Sequence, residues 1–141
     1  MSKKMVVCFG EVLWDLLPTG KVAGGAPMNV AYHLNNFGVR SLMISKVGSD
    51  DLGEELLGFL KQKVVSTDLI QKDDTFQTGV VNVIFDEKGS PSYDIVQQVA
   101  WDYIHFNGKV LGAVEQCDLL VYGSLATRSE ASRNTLFQLF K

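Results

Sequence analysis

Cysteine is scarce in this chain. Only Cys8 and Cys117 occur among 141 residues, each in or beside an apolar run, with no Cys or His at metal-ligand spacing from either. That pattern excludes a disulfide framework and a Cys/His zinc module, and fits two reduced, buried thiols of a cytoplasmic protein. His33 and His105 also stand alone, and read as surface or packing residues rather than ligands. Basic runs are missing too. Thirteen Lys plus Arg against sixteen Asp plus Glu give a net charge of −3, without the electrostatic footprint that nucleic acid requires. No apolar stretch reaches the roughly 18 residues of a membrane span. The apolar run after MSKK is broken at Glu11 and Asp15, too early for a signal peptide. Three motifs are absent: the G-x-x-x-x-G-K-S/T phosphate loop, a G-x-G-x-x-G after the first strand, and a G-x-S-x-G nucleophile elbow. Nucleotide sites of the first two types, and a serine hydrolase, are thereby excluded from this stretch.

What is present is an ordinary globular composition, 46% hydrophobic and 21% charged, in a length suited to one domain. Met5 to Phe9 reads as a buried strand, and Val12 to Leu17 as a second extended piece stopped at Pro18-Thr19-Gly20. Pro27 suits the first position of a helix whose apolar stripe is Val30, Ala31, Leu34 and Phe37, with Gly38 as its stop. A strand over Ser41 to Val47 leads to a helix from Asp51, with Glu54 as capping-box partner and Leu52, Leu56, Phe59, Leu60 and Val64 as its core side. Strand, helix, strand, helix is the pattern of a parallel sheet with helical crossovers. Thr78 to Phe85 and Ser92 to Val99, joined by Asp86-Glu87-Lys88-Gly89, form a hairpin too polar for a central parallel strand. It is expected off the main sheet. A short helix (Lys109 to Glu115), a buried strand (Asp118 to Tyr122) and a helix (Ser129 to Phe140, with Ala131, Leu136 and Phe140 on one side) follow. The alternation stops at Lys141 inside a helix. The sequence therefore reads as the first part of something longer, or as one needing a partner to complete its sheet.

The stretch GGAPMNVA, residues 24 to 31, holds the most chemistry. Glycines admit a ligand close to the backbone, and first-turn N–H groups of the helix can donate to anions or hydroxyls. Asn29 would face out of that turn with an amide that both donates and accepts, as the hydroxyls of a polyol do. Taken alone, the stretch is better explained as a plain strand-to-helix turn. Asp15 shifts the balance, because it falls where a strand meets a loop, and ligands of open α/β sheets bind beyond the carboxyl ends of strands. A carboxylate there can accept from two neighbouring hydroxyls. Glu11 has no evident role beyond pairing with a lysine. Ser124 closes a strand, and without a base nearby it reads as a pocket-lining loop residue.

Gly24, Gly25, Pro27, Asn29, Ala31, Gly38 and Gly48 lie at the spacing of the N-terminal signature of the ribokinase-like (pfkB) carbohydrate kinases. Around them CFGEVLWDLLP, SKVGSDDLGEELLGFL and GSLATRSEASRNTL resemble the fructokinase branch, in order and over essentially the whole chain. The resemblance implies a doubly wound α/β domain with a small β lid, formed by about 12–17 and 78–99. It implies transfer of the γ-phosphoryl group of ATP, with Mg2+ on the nucleotide, to a sugar hydroxyl, most readily of fructose. Matched position by position, Asp15, Gly24, Gly25 and Asn29 fall on sugar-binding positions, Tyr93 on a lid position that closes over the sugar, and Ser124 on a strand end lining the same pocket. The family's second signature, an Asp-Thr-x-Gly-Ala-Gly-Asp type segment carrying the catalytic base and anion hole, does not occur, nor does its Asn-x-x-Glu motif. Residues 1–141 are therefore expected to form the N-terminal portion of one sugar-kinase domain, without its nucleotide-binding portion, holding the sugar half of the active site and inactive alone. Two other readings stand beside this one: a non-catalytic sugar-binding or subunit-interaction module, and a nucleoside kinase of the same family. Val83, Phe85, Tyr93 and Val96 could furnish a lid face through which the complete protein forms a homodimer.

Overall fold

The computed structural model describes residues 3–141. Five consecutive apolar residues, Met5–Phe9, form β1, buried along its length. It lies parallel to β4 (Arg40–Gly48) on one side and to β8 (Leu119–Tyr122) on the other. β5 (Ile70–Asp73) extends the sheet beyond β4, giving the order β5-β4-β1-β8. Strand residues alternate between faces. On one face Cys8, Met43 and Val47 pack with Met28 and Ala31 of α1 (Ala26–Asn36) and Leu56 and Leu60 of α2 (Asp51–Gln62). On the other, Phe9 and Ile44 pack with Trp101, Val110 of α3 (Gly108–Gln116) and Leu136 of α4 (Glu130–Leu139). Helices on both faces of a parallel sheet make the doubly wound α/β architecture expected from the alternation.

The lid is a second sheet, ordered β3-β2-β6-β7, from β2 (Leu13–Leu17), β3 (Gly20–Gly24), β6 (Gly79–Phe85) and β7 (Pro91–Ile95). The middle pair is parallel and the two outer pairs antiparallel. One lid face packs on α2 through Trp14, whose indole N–H donates to Leu52 O at 2.9 Å and whose ring meets Phe59 edge-on. Asp50 ties the start of β6 to the domain. It caps α2 by accepting from Gly53 N at 2.8 Å, and accepts from Thr78 N at 2.9 Å and Thr78 Oγ1 at 2.6 Å. Burial pushes the Asp50 carboxyl up, but these three hydrogen bonds outweigh it and hold the group below its usual value.

Several expectations need correction. Gly20–Gly24, read as part of the loop into α1, pairs with β2 across a Pro18-Thr19 turn as strand β3, and β5 was not anticipated. Both are short strands whose pairing partners, not their composition, define them. Pro27 occupies the second helical position of α1, because the helix begins at Ala26. In α1 the buried positions are Pro27, Met28 and Ala31, while Val30 and Phe37 face outward, Phe37 with 82% of its surface exposed. Both sets satisfy a 3.6-residue period, and sequence spacing does not separate them. The N-cap of α2 is Asp50, so Glu54 lies one residue too far on for a capping box and pairs with Lys72 instead. Val64 follows the end of α2 in a left-handed conformation and is exposed. In α4 the inward residues are Ser132, Thr135, Leu136 and Leu139, not Ala131 and Phe140. The two hydroxyls donate to Trp101 O and Ile104 O, which lets polar residues face the core. The lid hairpin ends at Ile95 rather than Val99, and Val99 enters the domain core with Val96 packed against it. β8 is not buried: Leu119 and Tyr122 are about half exposed, since β8 is the edge strand of the sheet.

Candidate functional site

Strand register puts Asp15 on the lid face turned away from α2. Its neighbours across the two ladders are Val22 and Val81, and the same face carries Leu13, Leu17, Val83, Tyr93 and Ile95. Asp15 is the one ionisable carboxylate or base on this face, tyrosine aside, among the strand residues of the lid. Burial against this apolar surface raises its pKa. A partly desolvated carboxylate with no hydrogen-bond or ion-pair partner among the described residues is an acceptor held ready for hydroxyl or N–H donors.

Gly24, which pairs with Leu13, supplies the space beside it. A β-carbon at Gly24 would lie 2.6 Å from Asp15 Oδ2 and 3.2 Å from Leu13 Cδ1. Gly25 follows as the N-cap of α1 at φ 117°, where its missing side chain would otherwise strike Glu11 O at 2.3 Å. Its carbonyl accepts from Asn29 N at 2.9 Å and so starts the helix. Asn29 is exposed in that first turn, and its carboxamide has no hydrogen-bond partner among the described residues. Asp15, Gly24, Gly25 and Asn29 are thus brought together along one path from lid strand to helix turn.

Ser124 joins them at the carboxyl end of β8, exposed, with its carbonyl accepting from Thr127 N at 3.0 Å. The preceding Gly123 packs against Pro27, placing this strand end beside the α1 N-terminus. Tyr93 is on the same lid face as Asp15 but two strands away, opposite Val83, and is 63% exposed. No hydrogen bond ties it to the other five residues. A cleft of about 610 Å³ lies elsewhere, lined by Gln97, Gln98, Arg128 and Asn134 among others. None of the six lines it. Among the described residues, no cluster of three or more His, Cys, Asp or Glu is placed to hold a metal ion.

Sequence reasoning gave Glu11 no role. It is 3% exposed and not paired to a lysine; its Oε1 accepts from Ala26 N at 3.2 Å, at the start of α1. Burial raises its pKa, opposed by backbone N–H groups and the charge of Arg128. A signal for this was available. GGAP offers α1 neither a capping side chain nor an acidic first turn, so the cap had to come from elsewhere. Arg128 was also missed. Its guanidinium grips Asp102 through Nε and Nη2, both at 2.9 Å, donates to Val96 O at 2.7 Å, and lies over the Trp101 ring. It thus binds the chain leaving β7 to the turns that follow β8.

A doubly wound domain with a β lid over the carboxyl ends of its strands defines a ribokinase-like sugar kinase fold. The model of the pfkB family carbohydrate kinases matches residues 3–141, and the chain belongs to that family. It is 34% identical to a putative sugar kinase of Pyrococcus horikoshii over 97% of this chain and 47% of that protein. A fructokinase of Vibrio alginolyticus is 29% identical over 94% of this chain and 44% of its own. Among solved structures, an apo fructokinase from Vibrio cholerae superposes with a TM-score of 0.84 at 27% identity, covering 98% of this chain and 49% of that one. The chain spans about half the length of the relatives it matches. No helix among the described residues is long and apolar enough to cross a membrane.

Proposed function

We propose that residues 1–141 form the sugar-binding half of an ATP-dependent sugar kinase whose substrate is a neutral sugar, most specifically fructose. The observation that carries this reading is Asp15, a carboxylate without a partner among the described residues, set in an apolar lid face beside Gly24. Asp15 accepts from two adjacent sugar hydroxyls. Gly24 and Gly25 let the sugar ring approach the backbone, and the Asn29 carboxamide donates to one hydroxyl while accepting from another. Ser124 lines the floor of the groove, and Tyr93 closes over the sugar as the lid moves. Neutral sugars are favoured over sugar acids or phosphates by charge. The groove carries Asp15 with Glu11 behind it, and the nearby cation Arg128 is already committed to Asp102 and two carbonyls. The catalytic base, the anion hole, ATP and its magnesium belong, on this reading, to the half of the relatives' length that these residues do not span. ATP, when bound there, supplies the γ-phosphoryl group, and this chain's residues hold the acceptor hydroxyl in place for it.

The lid also offers a surface for self-association. Phe85, at the end of the Asp15 face away from the groove, and Tyr93 beside it are about half exposed or more, and the reading assigns this end of the lid to a homodimer of the complete protein. Val83, expected in that surface, is buried in the lid, and Val96 belongs to the domain core.

The test is sugar-dependent ADP release by the intact protein across fructose, glucose, ribose, adenosine and fructose 6-phosphate. Fructose is expected to give the highest kcat/KM. Turnover of adenosine or of the sugar phosphate in preference to every neutral sugar would reject the assignment.

A further inference from the structure

The N-terminus of α1 is wedged into a junction that leaves no room for side chains. A β-carbon at Gly10 would meet Pro27 Cγ at 2.5 Å, and one at Gly123 would meet the same atom at 3.1 Å. A β-carbon at Gly25 would meet Glu11 O at 2.3 Å, and Glu11 Oε2 lies 3.4 Å from the Gly123 position. The ends of β1 and β8 and the start of α1 therefore close on one another around Glu11. The helix brings nothing of its own to satisfy its first turn: its N-cap is a glycine, no acidic residue follows, and Pro27 has no N–H. Glu11 supplies what is lacking from the link between β1 and β2, with Oε1 accepting from Ala26 N at 3.2 Å and a negative charge at the positive end of the helix dipole. Its Oε2 has no hydrogen-bond partner among the described residues, although Glu11 is 3% exposed. An orphaned carboxylate oxygen is costly in such a place. A neutral side chain of the same length would avoid that cost and keep the reach to Ala26 N, so reach and charge can be separated by substitution.

We propose that Glu11 is a positioning residue for the sugar loop: by holding Ala26 N it fixes Gly24, Gly25 and Asn29 relative to Asp15 without touching the sugar. The inference rests on the sugar-site reading given above. Ala26 lies directly between Gly25, which backs the groove, and the turn that carries Asn29. A loop released at Ala26 presents Asn29 and the glycine backbone in many arrangements, and each sugar that binds must then order it. The loss falls on sugar binding, not on the nucleotide.

The experiment compares Glu11→Asp and Glu11→Gln with the parent, in the intact protein. Aspartate keeps the charge but is one methylene too short to reach Ala26 N, whereas glutamine keeps the reach and gives up the charge. Glu11→Asp is expected to raise the KM for fructose at least about tenfold with the KM for ATP unchanged, and Glu11→Gln to stay within about threefold of the parent. Parent-like sugar KM in Glu11→Asp, or sugar and ATP constants rising together, would overturn the proposal. If the parent turns over no sugar, the functional reading fails on its own, and the positioning claim is read from amide hydrogen exchange of residues 24–29. Exchange there is expected to quicken in Glu11→Asp and not in Glu11→Gln; equal exchange in the two would overturn it.

Discussion

Replacing Gly24 by alanine separates a binding role from a folding role, because the structure says what the added methyl meets. It would lie 2.6 Å from Asp15 Oδ2, where ordinary contact begins at 3.4 Å, so the carboxylate must retreat by about 0.8 Å. Asp15 can do so, being the end of a short side chain facing an open groove, and Gly24 does not have the positive φ that would strain alanine. The fold should therefore hold, with overpacking against Leu13 set against about 0.5–1 kcal/mol gained from replacing a strand glycine. Sugar binding should not hold. A hydrogen bond to a charged acceptor contributes about 1.5–3 kcal/mol, and losing one by displacement raises the sugar KM about 10- to 150-fold. The assay is steady-state kinetics of the intact protein with fructose and ATP varied separately, alongside a denaturant midpoint. A folded Gly24→Ala variant with the parent's sugar KM would refute the placement of the sugar against Asp15. Gly25→Ala is the contrast, since φ 117° and a backbone atom at 2.3 Å leave no escape; a loss of at least about 2 kcal/mol in stability is expected.

Other consequences follow from the anchoring groups. Asp50→Ala removes the α2 cap together with both Thr78 bonds, and should cost about 1–2 kcal/mol in urea unfolding. The native carboxyls of Asp50 and Asp73 lie below the usual value of 3.8, each held there by hydrogen bonds that outweigh burial, with Lys46 contributing at Asp73. Their stabilisation is thus complete above 3.8 and is lost as pH falls through the native values, so the denaturant midpoint should drop on acidification and drop less steeply in Asp50→Asn. Arg128→Met leaves Asp102, whose side chain is 4% exposed, without its cation. A destabilisation of about 3–5 kcal/mol is expected by chemical denaturation, and a change below about 1 kcal/mol would show that the pair is dispensable.

Where a single element could be judged by its own residues, the sequence was readable. β1 announces itself by five apolar residues, and the Asp86–Gly89 turn by its chemistry. β3 and β5 did not, because a five-residue Gly-Lys-Val-Ala-Gly segment becomes a strand only when β2 is there to pair with it. The faces of α1 and α4 were misjudged for a related reason. Ser132 and Thr135 turn inward because carbonyls of the 101–104 segment await their hydroxyls, and that partner is remote in sequence. At the candidate site, the GGAPMNVA turn was legible because a glycine-led helix start has a local signature, whereas Asp15, expected where a strand meets a loop, is the central residue of β2, since pairing with β3 and β6 carries the strand on to Leu17. Glu11 was not legible, since its meaning lies fifteen residues away at Ala26.

The most direct measurement of the central claim is calorimetric titration of fructose into the intact protein and into its Asp15→Asn variant. The account predicts saturable binding to the parent and at least about tenfold weaker binding to the variant, with both proteins equally stable. Equal affinity in the two, or no binding to a folded parent, would contradict it.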